Sequence, residues 1–385
     1  MFHMDFLEGK IWMNGIVKKT CILLLVLCLL LSGCGQKQTD QGLSDSTILE
    51  EADARRIVEL LLEKRNELMQ TIGNFSSEEE LLSALEEVYT AQEAGALYEE
   101  WLYEEARGLY EKSDDGALVL KADAQLPMMF DGYDVSILSY SEEAVEAFVI
   151  VQTADTSGGE RSDYLETVEL LSVTGNEQGF RLAACRNGAI YRDYFSEEGE
   201  NQAQTDDPSD SPSEEEAYDI VKELFENWAD YMYRFDGMGI PEAEIFTIDG
   251  FDYTLYPSDS FSSMEDLLVQ LGEIMTQGCA RQFQSVWLER EEAPYYLEQD
   301  GILYRIDAIV PEAAKDSVYA IVVKERGPES IHAFVIGNES GENEQFRMVY
   351  ELFLTKTVQG WRADQIHKGT IDMENVRPVH FNRFQ

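Results

Sequence analysis

The chain has 385 residues, enough for two domains of ordinary size. Hydrophobic residues make up 44% and aromatics 11%, which supplies packed cores and excludes wholesale disorder. The 75 acidic residues against 29 basic ones give a formal net charge of −46. That balance excludes wrapping of nucleic acid and disfavours adhesion to anionic lipid or wall polymer, since both need clustered Lys and Arg.

Residues 21–31 are an unbroken apolar run. Eleven residues of helix rise only ~16 Å, about half of a ~30 Å hydrocarbon core, so a membrane-spanning helix is not expected. Lys18 and Lys19 precede the run, as in the charged start of a secretory signal. The run closes on Leu31-Ser32-Gly33-Cys34, which resembles a bacterial lipobox. The resemblance implies a thioether-linked, palmitate-bearing lipid on Cys34, which becomes the mature N-terminus. An ordinary signal peptide with an incidental Cys34 is the alternative, and Met1 and Met13 both serve as starts. The expectation is therefore a lipoprotein signal over 1–33, a polar tether over 34–47 and a body held at the extracytoplasmic face of the bacterial membrane. Loss of 1–33 takes three basic residues (Lys10, Lys18, Lys19) and two acidic ones (Asp5, Glu8), so the remainder is one unit more acidic.

The first predicted helix follows, with Ile57, Val58, Leu61, Leu62, Leu68, Met69 and Ile72 on one face at helical spacing. A second starts after Ser76-Ser77, with acids in its first turn as at a helix N-cap. Beyond it the period falls to two, over Ala117–Lys121, Tyr133–Ser139 and Val145–Thr153. Residues 196–213 are acidic, Ser- and Pro-rich and without hydrophobic period, and read as a linker. The order then starts again. Ala217, Ile220, Val221, Leu224, Phe225, Trp228, Met232 and Phe235 share a face, and Ser262-Ser263 opens another helix. Strand patterns cover Val318–Lys324, Ile331–Ile336 and Phe346–Thr357.

The two runs align. Ala54, Ile57, Val58 and Leu61 match Ala217, Ile220, Val221 and Leu224, 163 residues apart. Leu81, Leu82, Leu85, Thr90, Ala94 and Trp101 match Leu267, Leu268, Leu271, Thr276, Ala280 and Trp287, 186 apart, as do 147–150 and 333–336. Gln178-Gly179-Phe180-Arg181 matches Gln359-Gly360-Trp361-Arg362 at 181, and Gly188 and Ile190 match Gly369 and Ile371. The expectation is an α+β protein of two tandem repeats, 48–195 and 214–385. Each has N-terminal helices packed on its own curved antiparallel sheet. About 23 extra residues fall around Asp236–Phe261 of the second.

This layout resembles the cone-shaped nuclear-transport-factor-2-like fold. The second half also resembles the IseA-type inhibitors of cell-wall DL-endopeptidases. The residues that carry the likeness are Phe246–Tyr253, Ser263–Leu268, Ile274-Met275-Thr276 and Tyr296–Tyr304. The match spans roughly 214–310, and the first half lacks the Phe-Thr-x-Asp-Gly strand. The resemblance implies a non-catalytic inhibitor or regulator whose partner is a basic wall hydrolase drawn to the acidic surface.

No catalytic residues are expected. There is no Gly-x-Ser-x-Gly elbow, Walker loop or Gly-x-Gly-x-x-Gly. Cys185 and Cys279, one in each half, read as buried unpaired thiols. His332, His367 and His380 show no metal-ligand spacing, and His332 alternates with apolar residues in a strand, so neither metal nor cofactor is expected. Glycine pairs at 158–159 and at Gly337 and Gly341 read as hairpin turns. Two other classes stay open. One is a solute-binding or sensory module. The other is a pocket enzyme, with Tyr253, Tyr296, Tyr304 and Asp307 lining the pocket. The binding residues themselves are not legible in the sequence.

Overall fold

The computed structural model describes residues 49–103, 108–122, 124, 132–152, 164–176, 179–191, 211–236, 245–248, 250–255, 261–289, 294–306, 317–338 and 346–373. Signal, lipobox, tether, most of the linker, Asp307 and both expected glycine turns, save Gly337 and Asn338, lie outside the described residues.

Three helices come first: α1 (Glu51–Thr71), α2 (Glu78–Val88) and α3 (Ala91–Tyr103). The start of α2 is fixed by a reciprocal cap. Ser77 Oγ accepts from Glu80 N, and the Glu80 carboxylate accepts from Ser76 N and Oγ at 3.0 and 2.8 Å. A short hairpin, β1 (Tyr110–Lys112) and β2 (Leu118–Leu120), leads to four long strands. These are β3 (Gly132–Tyr140), β4 (Ala144–Gln152), β5 (Tyr164–Asn176) and β6 (Gly179–Tyr191). After the linker come α4 (Glu214–Asp236), β7 (Ile245–Ile248), β8 (Phe251–Leu255), α5 (Met264–Gly272) and α6 (Gln277–Phe283). One π-helical turn, Gln284–Leu288, prolongs α6. Then β9 (Tyr296–Gln299) and β10 (Ile302–Ile306) precede β11 (Val318–Arg326), β12 (Ser330–Gly337), β13 (Phe346–Thr357) and β14 (Gly360–Asp372). The class is α+β, built on a curved and nearly closed antiparallel sheet.

The sequence reading gave each half its own sheet. The structure instead joins the long strands into one eight-stranded sheet, in the order β11-β12-β13-β14-β6-β5-β4-β3. The seam is the antiparallel pair β14–β6, with Ile371 opposite Gly188 and Gly369 opposite Ile190. The reason is the edge: an exposed row of backbone donors and acceptors is satisfied when another strand covers it. Backbones approach so closely there that only glycine fits. A Cβ on Gly188 would lie 2.3 Å from Thr370 O, and one on Gly369 would lie 2.1 Å from Ala189 O. The far edges of the sheet also meet. Lys324 of β11 pairs with Asp134 of β3 at 2.6 Å and donates to Ser136 at 3.3 Å, and Tyr319 hydrogen-bonds Glu146. Residues 48–385 accordingly form a single compact unit.

β4 and β12 carry apolar residues on both faces. On β4, Ala147, Val149 and Val151 face α1–α3, while Phe148 and Ile150 face the inside of the curved sheet. On β12, Ile331, Ala333 and Val335 face α4–α6, while Phe334 and Ile336 point inward. Three cores result: one under each helix layer, and one inside the sheet to which both halves contribute. There the rings of Phe148 and Phe334 meet at 5.5 Å between centroids.

The extra residues of the second half have a definite role. β7 and β8 extend the β9–β10 hairpin into a four-stranded sheet, β7-β8-β10-β9. The β1–β2 hairpin of the first half stays two-stranded.

Candidate functional site

The helix-to-sheet joint is built alike in both halves, and in the second half a cleft opens beside it. Thr90 N donates to Leu182 O at 2.9 Å, and Thr276 N to Ala363 O at 2.8 Å. Arg181 Nε donates to Glu86 O at 2.9 Å, and Arg362 Nε to Gly272 O at 3.1 Å. Each arginine also donates from Nη1 to the carbonyl of the aromatic residue before it, Phe180 or Trp361. The arginine of the Gly-aromatic-Arg turn thus ties the hairpin tip to the end of a helix.

In the second half a cleft of about 540 Å³ opens at this joint, between α5, α6 and the tip of the β13–β14 hairpin. That lies within the size range of small-ligand sites. Leu268, Met275 and Ala280 give it an apolar floor. Thr276, Gln277, Gln284, Thr357 and Gln359 supply hydroxyls and amides, and the charged lining is Arg281 and Arg362, with no carboxylate. Acids lie just outside it: Asp364 accepts from Thr276 Oγ1 at 2.9 Å, and Gln284 donates to Glu289 at 2.8 Å. The sequence reading did not single out Arg281, which sits beside Cys279 on α6. Its signal was available, because position 281 aligns with Gly95 and position 272 with Glu86.

A second polar group lies inside the first half. Arg65 of α1 and Glu169 of β5 form a two-pronged ion pair at 2.8 and 3.2 Å, both almost fully buried. Tyr133 lies beneath the guanidinium at 5.9 Å from its ring centre. Burial pushes the nearby Cys185 thiol up to about 12 and the Tyr89 hydroxyl well above its ordinary range. The matching positions of the second half are apolar and aromatic. Trp228 stands 163 residues after Arg65, and Tyr350 pairs with Val335 on the strand ladder as Glu169 pairs with Val149. Tyr350 there meets Phe225 at 5.0 Å between ring centres. The buried ion pair of the first half thus stands where the second half has aromatic side chains at the aligned positions.

The remaining sequence candidates fall as follows. Cys185 and Cys279 are buried and free, and burial raises the Cys279 thiol to about 12 as well. Such thiols are not nucleophiles near neutral pH. His332 faces the inside of the sheet, half-buried, accepting or donating with Glu351 at 2.9 Å and stacked on Phe353 at 4.3 Å. His367 is buried on β14 and meets Phe353 edge-on at 5.9 Å. Among the described residues no cluster of His, Cys, Asp and Glu has a metal-binding arrangement. Tyr296 is not among the residues that line the cleft. It is buried among Phe235 of α4, Phe261 and Tyr295, and its hydroxyl donates to Phe235 O. Tyr304 is partly exposed on β10, and the side chains of Tyr253 and Asp307 lie outside the described residues, as do Leu31, Ser32, Gly33, Cys34 and His380. Among the described residues no helix is long and apolar enough to cross a membrane.

Compared with known proteins, the chain matches no protein family, no curated protein and no solved structure.

Proposed function

We propose that the chain is a lipid-anchored, non-catalytic binding protein of the extracytoplasmic membrane face, made of two fused copies of one cone-like α+β unit. The observation that carries the binding reading is the open cleft of about 540 Å³, in which amides, hydroxyls and arginines stand over an apolar floor. That composition suits a peptide-like surface, whose own groups alternate between amide and apolar. The paired helix-to-sheet joints and the glycine-matched seam support the fused-copy reading.

The more specific reading is regulation of a basic cell-wall DL-endopeptidase. Two features support it. The cleft lies in the half whose residues 214–310 resemble endopeptidase inhibitors, and a chain of net charge −46 attracts a cationic partner at long range. The test is hydrolysis of purified peptidoglycan by a basic DL-endopeptidase, with and without the mature protein, at two salt concentrations. Inhibition that weakens as ionic strength rises is expected, since the Debye length falls from ~30 Å at 0.01 M to ~8 Å at 0.15 M. Absence of both inhibition and salt-dependent binding sinks the inhibitor reading. The anchor is tested separately. Cys34→Ala is expected to release the protein from the membrane fraction or to leave it as precursor, and wild-type lipid labelling in that variant refutes the anchor.

A further inference from the structure

The cleft of the second half has a counterpart position in the first, and the two differ in charge. The helix end that accepts from the arginine is Gly272 in one and Glu86 in the other. Position 281 is arginine where the first half has Gly95, and 358 is valine where it has Glu177. Position 284 is glutamine where the first half has Tyr98, which is held against Glu78. Three aligned changes each move the charge in the positive direction, in a chain whose overall charge is −46.

We infer that this cleft, as part of the binding role proposed above, receives a carboxylate carried on an uncharged or basic peptide segment, with Arg281 as its charged contact. Guanidinium groups suit carboxylates because two parallel N–H donors match two oxygens. Arg362 is held in place by its bonds to Gly272 O and Trp361 O, so that side of the cleft loses little freedom on binding. Arg281 is exposed and available to close on the ligand. The rest of the surface restricts the ligand further. The field of a strongly acidic chain repels an anion of net negative charge, so the carboxylate must arrive on a segment that is otherwise neutral or cationic. A polypeptide end meets that description, and so does a lone acidic side chain within a basic segment.

The test uses the mature protein carrying ¹³C-methyl methionine. Met275 lies on the cleft floor, and its resonance is assigned by Met275→Leu. Three short Ala/Lys peptides are titrated: one with a free C-terminal carboxylate, one amidated, and one amidated with an internal Glu. The Met275 signal is expected to shift with the first or third peptide and not with the second, and which of the two acts identifies the source of the carboxylate. Arg281→Glu is expected to weaken binding roughly tenfold or more, and Arg281→Lys less. Because Arg281 is exposed, these variants are expected to fold, which the unshifted methionine signals outside the cleft will report. No Met275 shift with any peptide, an equal shift with the amidated one, or full binding by Arg281→Glu overturns the inference. Wall hydrolysis is not read in this experiment, so it fails or succeeds independently of the inhibitor reading.

Discussion

Arg65 and Glu169 show what one buried charge pair contributes. Each side chain is nearly inaccessible, and each satisfies the other through two contacts. Taking both charges out of water costs nearly what their attraction returns, so the pair adds little net stability. Removing one partner is different, because the other charge stays buried and uncompensated. Glu169→Leu is therefore expected to destabilise the protein by about 3–5 kcal/mol. The double variant Arg65→Met with Glu169→Leu is expected to lie within about 1 kcal/mol of wild type. Urea unfolding measures both. A double variant as unstable as the single one would show that the pair does more than fill the core.

Helix starts are the element at which pH acts. The backbone N–H of Ser76 holds the Glu80 carboxylate below its ordinary range, and that of Ser262 does the same for Asp266 at the start of α5. A carboxylate whose folded pKa is depressed contributes stability above its unfolded pKa of about 4, and the contribution is lost as pH falls through the lower folded value. Protonation at low pH also relieves repulsion among the many acids, but that term is common to wild type and a single variant. Glu80→Gln and Asp266→Asn are thus expected to lower the melting temperature at pH 7. The difference from wild type should shrink as pH drops below about 4. A difference that persists at pH 3 would assign the effect to packing and not to the charged cap.

At the scale of the whole molecule the seam governs behaviour. Gly188 faces Ile371 and Ile190 faces Gly369, and each pair is the image of the other under the 181-residue offset. Strands that pair in this way can pair with a second copy of themselves, as in an isologous dimer interface. The inner core makes the same demand, since a lone half leaves Phe148, Ile150, Val168 and Leu170, or Phe334, Ile336 and Val349, facing water. Residues 48–195 and 214–385 expressed separately are therefore expected to be dimers by light scattering. Gly188→Val is expected to leave the first half monomeric and poorly folded, or aggregated. A stable, cooperatively folding monomer of either half would show that the seam is dispensable.

The sequence by itself determined the α+β class, the helices-before-strands order and the helix starts at Ser77 and Ser263, and it displayed residues that align between the halves. These depend on local chemistry: apolar spacing, capping hydroxyls and short motifs that need no partner to be read. It also identified Cys185 and Cys279 as core thiols, because each lies within an apolar pattern. It gave no warning that two sheets would be one. Gly188 and Gly369 were visible as matched residues, but their purpose appears only when two strands distant in sequence approach within reach of a Cβ. Arg65 was present on an apolar helix face, and the strand that neutralises it lies 104 residues away. The cleft is a similar case, since Arg281 on a short helix and Arg362 on a hairpin become one site only when the hairpin tip is tied to the end of α5. Tertiary structure decided these features because close approach and charge pairing depend on distance in space, which spacing along the chain does not record.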